Sequence, residues 1–381
     1  MSVEFLKMVS ELYSQRYLVK LQSLIANKIP CGFFCGFAFL ENVPALAKQL
    51  KDMGINLTCI CVMDETRKIE GGLDIPIITL EEFSNLEPKP AQMFHFDGVI
   101  TPAFRNYFLR YGTNTWILSN ANAMEMLYGF YIQHLSDLYT VHEMFSDEES
   151  KKVFRASIKG KLTYRIEDFR YAPEPQYFLE GFFPTGGDIA IDGGAYDGGT
   201  ARDFAMQGAE VYSFEMDEKN YRNCLARAKK YKFTVENMGL SNQENEDFYI
   251  QGNTGSRKGG NSGLIAKFID LDTYVIRKDL PRVDYIKLDI EGAELDMLHG
   301  AAKTIARWKP KMAVSAYHKP EDLFTLATYI KSVRPDYEFK FRHYRIDFTD
   351  YELNDAQRDI FRKFGLSFFV PSGCEMVLYC R

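Results

Sequence analysis

The stretch DIAIDGGAYDGGT (residues 188–200), followed by EVYSFEMD (residues 210–217), reads as a strand, a glycine turn, a helix and a second strand. Ile189, Ala190 and Ile191 supply an apolar run. Gly193, Gly194, Gly198 and Gly199 let the backbone turn tightly and approach a ligand, and a helix opening near Thr200 presents free N–H groups. Glu215 closes the second strand about 20 residues beyond the turn, where a dinucleotide-type fold uses a carboxylate to accept ribose hydroxyls. The turn lacks the GxGxxG order and begins with Asp192, whose charge repels a pyrophosphate and suits a ligand with a positive centre. S-adenosylmethionine (SAM) carries a sulfonium, an ammonium and a ribose, so the pattern favours SAM over NAD, with an empty fold as the bland alternative.

Downstream, residues 188–381 alternate strand and helix signals and form one domain: an α/β doubly wound sheet, mostly parallel, ending in an antiparallel edge pair. A third strand is expected at residues 233–241, a polar hairpin at 242–262, a fourth strand at 285–294 and a fifth at 311–318, with two strands last. Ligands of such sheets bind at the carboxyl ends of the strands, which selects Asp192, Glu215, Gly239, Ser241, Asp289, Glu291 and His318. Period two in YIKLDIEGAE (residues 285–294) places Lys287, Asp289 and Glu291 on one side of the strand. Asp289 and Glu291 are placed to hold an ammonium, orient a substrate or ligate a divalent ion, but two carboxylates are too few to define a cation site, so no metal is expected. His318 is either a general base or a packed, capping histidine. His343, beside Arg342 and Arg345, reads as a residue that binds a substrate anion or serves the fold. The glycine-rich loop at residues 251–263 lacks the lysine and hydroxyl of a P-loop and reads as a lid or a plain hairpin.

Residues 1–120 read as an amphipathic N-terminal helix and a weaker copy of the same design, and residues 121–187 as a helical linker. In residues 31–80, Gly32 and Gly36 flank a turn crowded by Phe33, Phe34 and Phe37, and Asp64 takes the ribose-acid position. Crowding at that turn points to packing or assembly rather than a working cofactor site; an NAD-dependent oxidoreductase using this unit is the rival reading. Ser146 with Glu149 has the spacing of a capping box.

The chain of 381 residues is 46% hydrophobic and 14% aromatic, ample for two cores, and 46 basic against 52 acidic residues exclude a general polyanion-binding surface. Seven cysteines, an odd number without CxxC spacing, suit a reduced, cytoplasmic protein in which they fill cores. No apolar run reaches membrane-spanning length. The expected partner is a small-molecule or saccharide substrate, with no nucleic acid and no membrane insertion; a homo-oligomer is left open.

The motifs DGGAYDGG (192–199), YSFEMDEKN (212–220), IDLDTY (269–274) and above all YIKLDIEGAELDMLHGA (285–301) resemble those of the FkbM-type SAM-dependent methyltransferases. AVSAYHKPEDL (313–323), FRHY (341–344) and EMVLY (375–379) extend the resemblance from about residue 147 to the end, and the first domain resembles the degenerate Rossmann module that precedes some members. The resemblance implies SAM contacts at Asp192, Gly194, Tyr196 and Glu215, with Asp289 and Glu291 at the reacting end, and O-methylation of a sugar, glycolipid or secondary metabolite. Gly193 replaces a usual β-branched residue in the turn and Met216 a usual proline at the adenosine edge; neither removes a ligand group. A non-catalytic SAM-binding scaffold is the second rival.

Overall fold

The computed structural model describes residues 17–35, 43–63, 74–95, 101–117, 121–163, 168–251, 256–258, 264–347, 362–364, 369–370 and 375–381, and residues 5, 8, 69 and 359 singly. Two compact units divide the chain. One comprises Met1–Gln133, Arg155–Phe169 and Arg345–Gly373, the other His134–Phe154, Arg170–Tyr344 and Cys374–Arg381. The stretch 121–187, read from sequence as a linker, is therefore shared out between both units.

In the first unit five strands, β1 (Cys31–Cys35), β2 (Leu57–Val62), β3 (Ile77–Thr79), β4 (Gln92–His95) and β5 (Asn114–Ile117), form a parallel sheet in the order β3-β2-β1-β4-β5. This is the doubly wound arrangement expected of a Rossmann-like unit. The phenylalanines assigned to a crowded turn lie in β1 instead: Phe33 and Phe34 are buried in the strand, because a central parallel strand covered on both faces favours a continuous apolar run. Gly36, Phe37 and Asp64 lie outside the described residues. Thr79 and Glu82 form a true capping box on the helix Leu80–Asn85. At residue 146 the capping reading is corrected: the Asp147 carboxylate accepts the Ser150 N–H at 2.6 Å, while the Ser146 hydroxyl donates to Glu338.

The second unit holds β6 (Ile189–Gly193), β7 (Glu210–Phe214), β8 (Thr234–Glu236), β9 (Gly239–Leu240), β10 (Asn245–Gln251), β11 (Ser256–Lys258), β12 (Leu264–Ile269), β13 (Tyr285–Leu288), β14 (Lys311–Ser315) and β15 (Phe339–His343). Two short strands that pair with each other, β16 (Ile346–Asp347) and β17 (Phe369–Val370), precede the last strand of the second unit, β18 (Met376–Cys380). Seven of these strands make one sheet, β15-β18-β14-β13-β6-β7-β8, parallel except for β18, which is antiparallel to both neighbours. The expected antiparallel pair is thus present, but the last strand inserts between β14 and β15 rather than adding at the edge. A second sheet, β11-β10-β12-β9, was not foreseen. The stretch read as one third strand breaks in two, β8 joining the large sheet and β9 the small one. Residues 252–255 and 259–263 of the glycine-rich loop lie outside the described residues.

The core of the second unit gathers around Phe182, Phe204, Tyr285 and Tyr379, with β6 buried along its whole length. The six described cysteines are buried. Among the described residues no helix is long and apolar enough to cross a membrane.

Candidate active site

In the large sheet the chain winds from β6 toward β7 and β8 on one side and toward β13 and β14 on the other, so β6 and β13 bound the topological switch point. Gly194, directly after β6, has φ +77°, and a Cβ there would lie 1.8 Å from the Asp289 carbonyl oxygen. Only glycine lets the ends of β6 and β13 close to this distance. Register pairs Lys287 with Asp192 across these strands.

That pairing corrects the reading of Asp192. Its side chain is fully buried, Lys287 Nζ lies 3.1 Å from Oδ1, and the Ser213 hydroxyl donates to Oδ2. Burial opposes the lysine's charge, yet Asp192 and Asp289 outweigh it and hold the Lys287 pKa above the ordinary value. Lys287 also donates to the carbonyls of Gly193 (3.1 Å) and Gly194 (2.7 Å). Asp192 is therefore a neutralised anchor beneath the turn rather than a charge facing a ligand. Gly193 lies inside β6 against Leu288, and Ser241 is fully buried.

A cavity opens at the switch point. Five residues expected at a cofactor site line it (Gly194, Tyr196, Glu215, Met216 and Gly239), as do Asp289 and Glu291 of the expected reacting end. Glu215 is 7% exposed; its Oε2 accepts the Tyr196 N–H and its Oε1 the Asp217 N–H, both at 2.8 Å. Burial pushes its pKa up to about 7 against the pull of those two N–H groups. Each oxygen keeps a lone pair for a hydroxyl donor. Phe214, Asn220, Leu240, Phe268, Ile290 and Ala293 complete the lining; Leu240 and Phe268 come from β9 and β12 of the small sheet.

At the other end, β13 stops at Leu288, so the period-two argument does not extend to Asp289 and Glu291. Asp289 instead takes hydrogen bonds from two phenols, Tyr177 to Oδ2 (2.9 Å) and Tyr317 to Oδ1 (3.1 Å). Glu291 sits in the left-handed region at φ +55°, a costly conformation for a non-glycine residue. His318 does not line the cavity; it stands behind it with its side chain 8% exposed, Nε2 3.5 Å from Asp289 Oδ1 and 3.6 Å from Glu291 Oε2, and Nδ1 2.9 Å from Glu294 Oε1. Burial lowers the imidazole pKa, but Glu294, Asp289 and Glu291 together overcome it and raise the pKa to about 9. Burial, then the charge of Asp289, pushes Glu375 up to about 7.

Tyr177, Tyr317, Glu294 and Glu375 were missed by sequence reasoning. Tyr177 comes from the supposed linker, where only the proline-rich run YAPEP (residues 171–175) hinted at a fixed structure, and Glu294 was read as the tail of a motif. His343 and Arg342 are not substrate-facing: His343 is fully buried, and Arg342 pairs with Asp147 (3.1 Å) and Glu174 (3.3 Å).

A seven-stranded sheet with one antiparallel strand, and a cavity at its switch point carrying an acid at the end of β7, defines a Rossmann-like fold of the methyltransferase class. Residues 192–365 match the family model for the methyltransferase FkbM domain. The structure is similar to the crystal structure of methyltransferase FkbM from Methylobacillus flagellatus, with TM-score 0.67, 19% identity, and 99% of this chain and 98% of that chain covered. Weaker likenesses are to an rRNA methylase from Streptococcus thermophilus (TM-score 0.30, 12% identity, 52% of this chain and 87% of that one) and to Aeropyrum pernix fibrillarin in complex with natively bound S-adenosyl-L-methionine (TM-score 0.30, 11% identity, 52% and 67%). No curated protein matches the chain.

Proposed function

We propose that the chain is a SAM-dependent methyltransferase acting on a hydroxyl oxygen of a small-molecule or saccharide acceptor. The observation that carries this reading is the cavity at the switch point, which has Glu215 and Asp289 with Glu291 among its lining residues. The donor set fits SAM: a buried carboxylate with spare lone pairs suits a ribose diol, and Met216, Leu240 and Phe268 offer an apolar surface to a purine. When bound, SAM supplies an electrophilic methyl group on a sulfonium.

The chain's own part is positioning and proton handling. Gly194 and Tyr196 shape the floor of the cavity, and Glu215 orients the cofactor. Tyr177 and Tyr317 fix Asp289 through both of its oxygens, so that it holds the acceptor in line, and the Asp289 and Glu291 edge receives the hydroxyl proton. Alignment supplies most of the rate in such a transfer.

Calorimetric titration with SAM, followed by mass spectrometry of hydroxylated acceptors incubated with protein and SAM, tests the reading. Saturable SAM binding and a product heavier by one methylene unit are expected. Failure to bind SAM would overturn the proposal; binding without methyl transfer to any sugar or metabolite hydroxyl would convert the protein into a SAM-binding scaffold.

A further inference from the structure

We propose that Asp289, Glu291 and His318 form a divalent-cation site at the edge of the cavity, with Glu294 behind the imidazole as the carboxylate that orients it. The sequence offered only two carboxylates, which define no cation site. The fold adds the missing nitrogen by bringing the end of β14 beside the end of β13.

Three observations carry the assignment. The first is spacing. A cation with bonds of about 2.1 Å at angles of about 90–110° sets its ligand atoms roughly 3.0–3.4 Å apart. His318 Nε2 lies 3.5 Å from Asp289 Oδ1 and 3.6 Å from Glu291 Oε2, a gap that small side-chain rotations close. Among the described residues the group whose donor atoms already fall within 4.8 Å of one another is Asp289, Glu294 and His318; Glu291 is outside that group and approaches it through His318 Nε2 at 3.6 Å.

The second is that buried polar groups are left without hydrogen bonds. Although Glu294 Oε1 is 2.9 Å from His318 Nδ1, neither imidazole nitrogen has a hydrogen bond of acceptable geometry among the described residues, and neither does Glu294 Oε2. The His318 side chain is 8% exposed and Glu294 is fully buried. Buried polar atoms without partners are costly, and a bound cation, with the imidazole turned squarely onto Glu294, supplies the missing interactions. A carboxylate on the far nitrogen is the arrangement that fixes a metal-binding histidine in its tautomer.

The third is charge. Three carboxylates surround one imidazole, while Lys287 is engaged with Asp192 and the Gly193 and Gly194 carbonyls. An imidazole with two carboxylates suits a first-row ion such as Mn²⁺, which accepts mixed nitrogen and oxygen ligands and leaves positions open to oxygens in the cavity. Given the methyl-transfer reading, on which only this last role rests, those positions would fix the acceptor's hydroxyl.

The test uses the full chain treated with EDTA and then titrated with Mn²⁺ alone, the free ion being followed by electron paramagnetic resonance, with SAM binding measured in parallel by calorimetry. One tight Mn²⁺ per chain is expected. His318→Ala and Asp289→Asn should each weaken it by at least about tenfold, and Glu294→Gln by roughly 10–100-fold. Glu291→Gln, at a position with its side chain 38% exposed, is the substitution that disturbs the fold least. SAM binding retained by any variant shows that it has folded. Wild-type protein that binds SAM but no Mn²⁺ overturns the site, as does Mn²⁺ binding unaffected by His318→Ala and Glu291→Gln in variants that still bind SAM. Mn²⁺ binding that these substitutions abolish, in a protein that never binds SAM, upholds the site and overturns only the methyl-transfer reading.

Discussion

The sheet of the first unit and the five parallel strands at the heart of the second share one wiring, β3-β2-β1-β4-β5 against β8-β7-β6-β13-β14, yet their central strand pairs are built from opposite chemistry. Where β1 meets β4, register places Phe34 opposite His95; where β6 meets β13, it places Asp192 opposite Lys287. Phe34 and Phe108 pack on the His95 ring at 5.3 and 5.6 Å, and burial alone pushes that imidazole's pKa down to about 3, so it stays neutral. The second pair is ionic, and its lysine also binds the carbonyls that form the glycine turn. One topology thus carries an aromatic pair in one unit and a charged, hydrogen-bonded pair under a cavity in the other. The difference teaches that topology supplies the place for a ligand while the side chains set there decide its chemistry.

The comparison is most exposed to failure at the ion pair. Lys287→Met leaves Asp192 buried without its counter-charge, and the second unit should lose about 3–5 kcal/mol. Urea unfolding with and without SAM reads this out in the transition that SAM shifts; an unchanged midpoint there would show that the pair holds nothing together. Next in size, Glu215→Ala should weaken SAM binding roughly 10–100-fold, since a hydrogen bond to a charged acceptor is worth about 1.5–3 kcal/mol. Calorimetry giving wild-type affinity would remove Glu215 from the site.

A pH effect follows from the same residue. With its pKa raised to about 7 by burial, Glu215 is protonated below that value in the ligand-free protein. Ribose hydroxyls donating to it favour the ionised form, so binding releases a proton and affinity rises with pH until the carboxylate is charged. SAM affinity should fall about tenfold from about pH 8 to about pH 6, and Glu215→Gln should flatten that slope. A slope unaltered in the variant would assign the proton to another group. The smallest effect belongs to the aromatic pair. His95, buried with neither ring nitrogen hydrogen-bonded among the described residues, should be replaceable by phenylalanine within about 1 kcal/mol, and without change in SAM binding. A large loss would mean that His95 has a polar role the aromatic packing does not reveal.

Much of this was legible in the chain. The glycine turn, Glu215 at the end of β7 and the helix–strand alternation are local patterns, and local patterns survive folding because they depend on backbone freedom and residue spacing. The same logic misplaced residues wherever a partner distant in sequence decides the outcome. Asp192 was read as a ligand contact because nothing near it announces Lys287, 95 positions on. Phe33 and Phe34 were given to a turn because their run fits a buried strand equally well. Tyr177 was passed over in a stretch without periodicity, although its hydroxyl reaches Asp289.

Taken by itself, the sequence determined that two Rossmann-like units follow each other and that the second bears a glycine turn with an acid one strand away, because these follow from short-range geometry. Only the tertiary structure decided which charges face the cavity and which neutralise each other. Pairing between β6 and β13 buries Asp192 on Lys287, while the turn after β13 and the end of β14 gather Asp289, Glu291, Glu294 and His318 from a 30-residue span into one acidic corner. The electrostatics of a site depends on distances through space, and a linear chain does not contain those until its strands have found their neighbours.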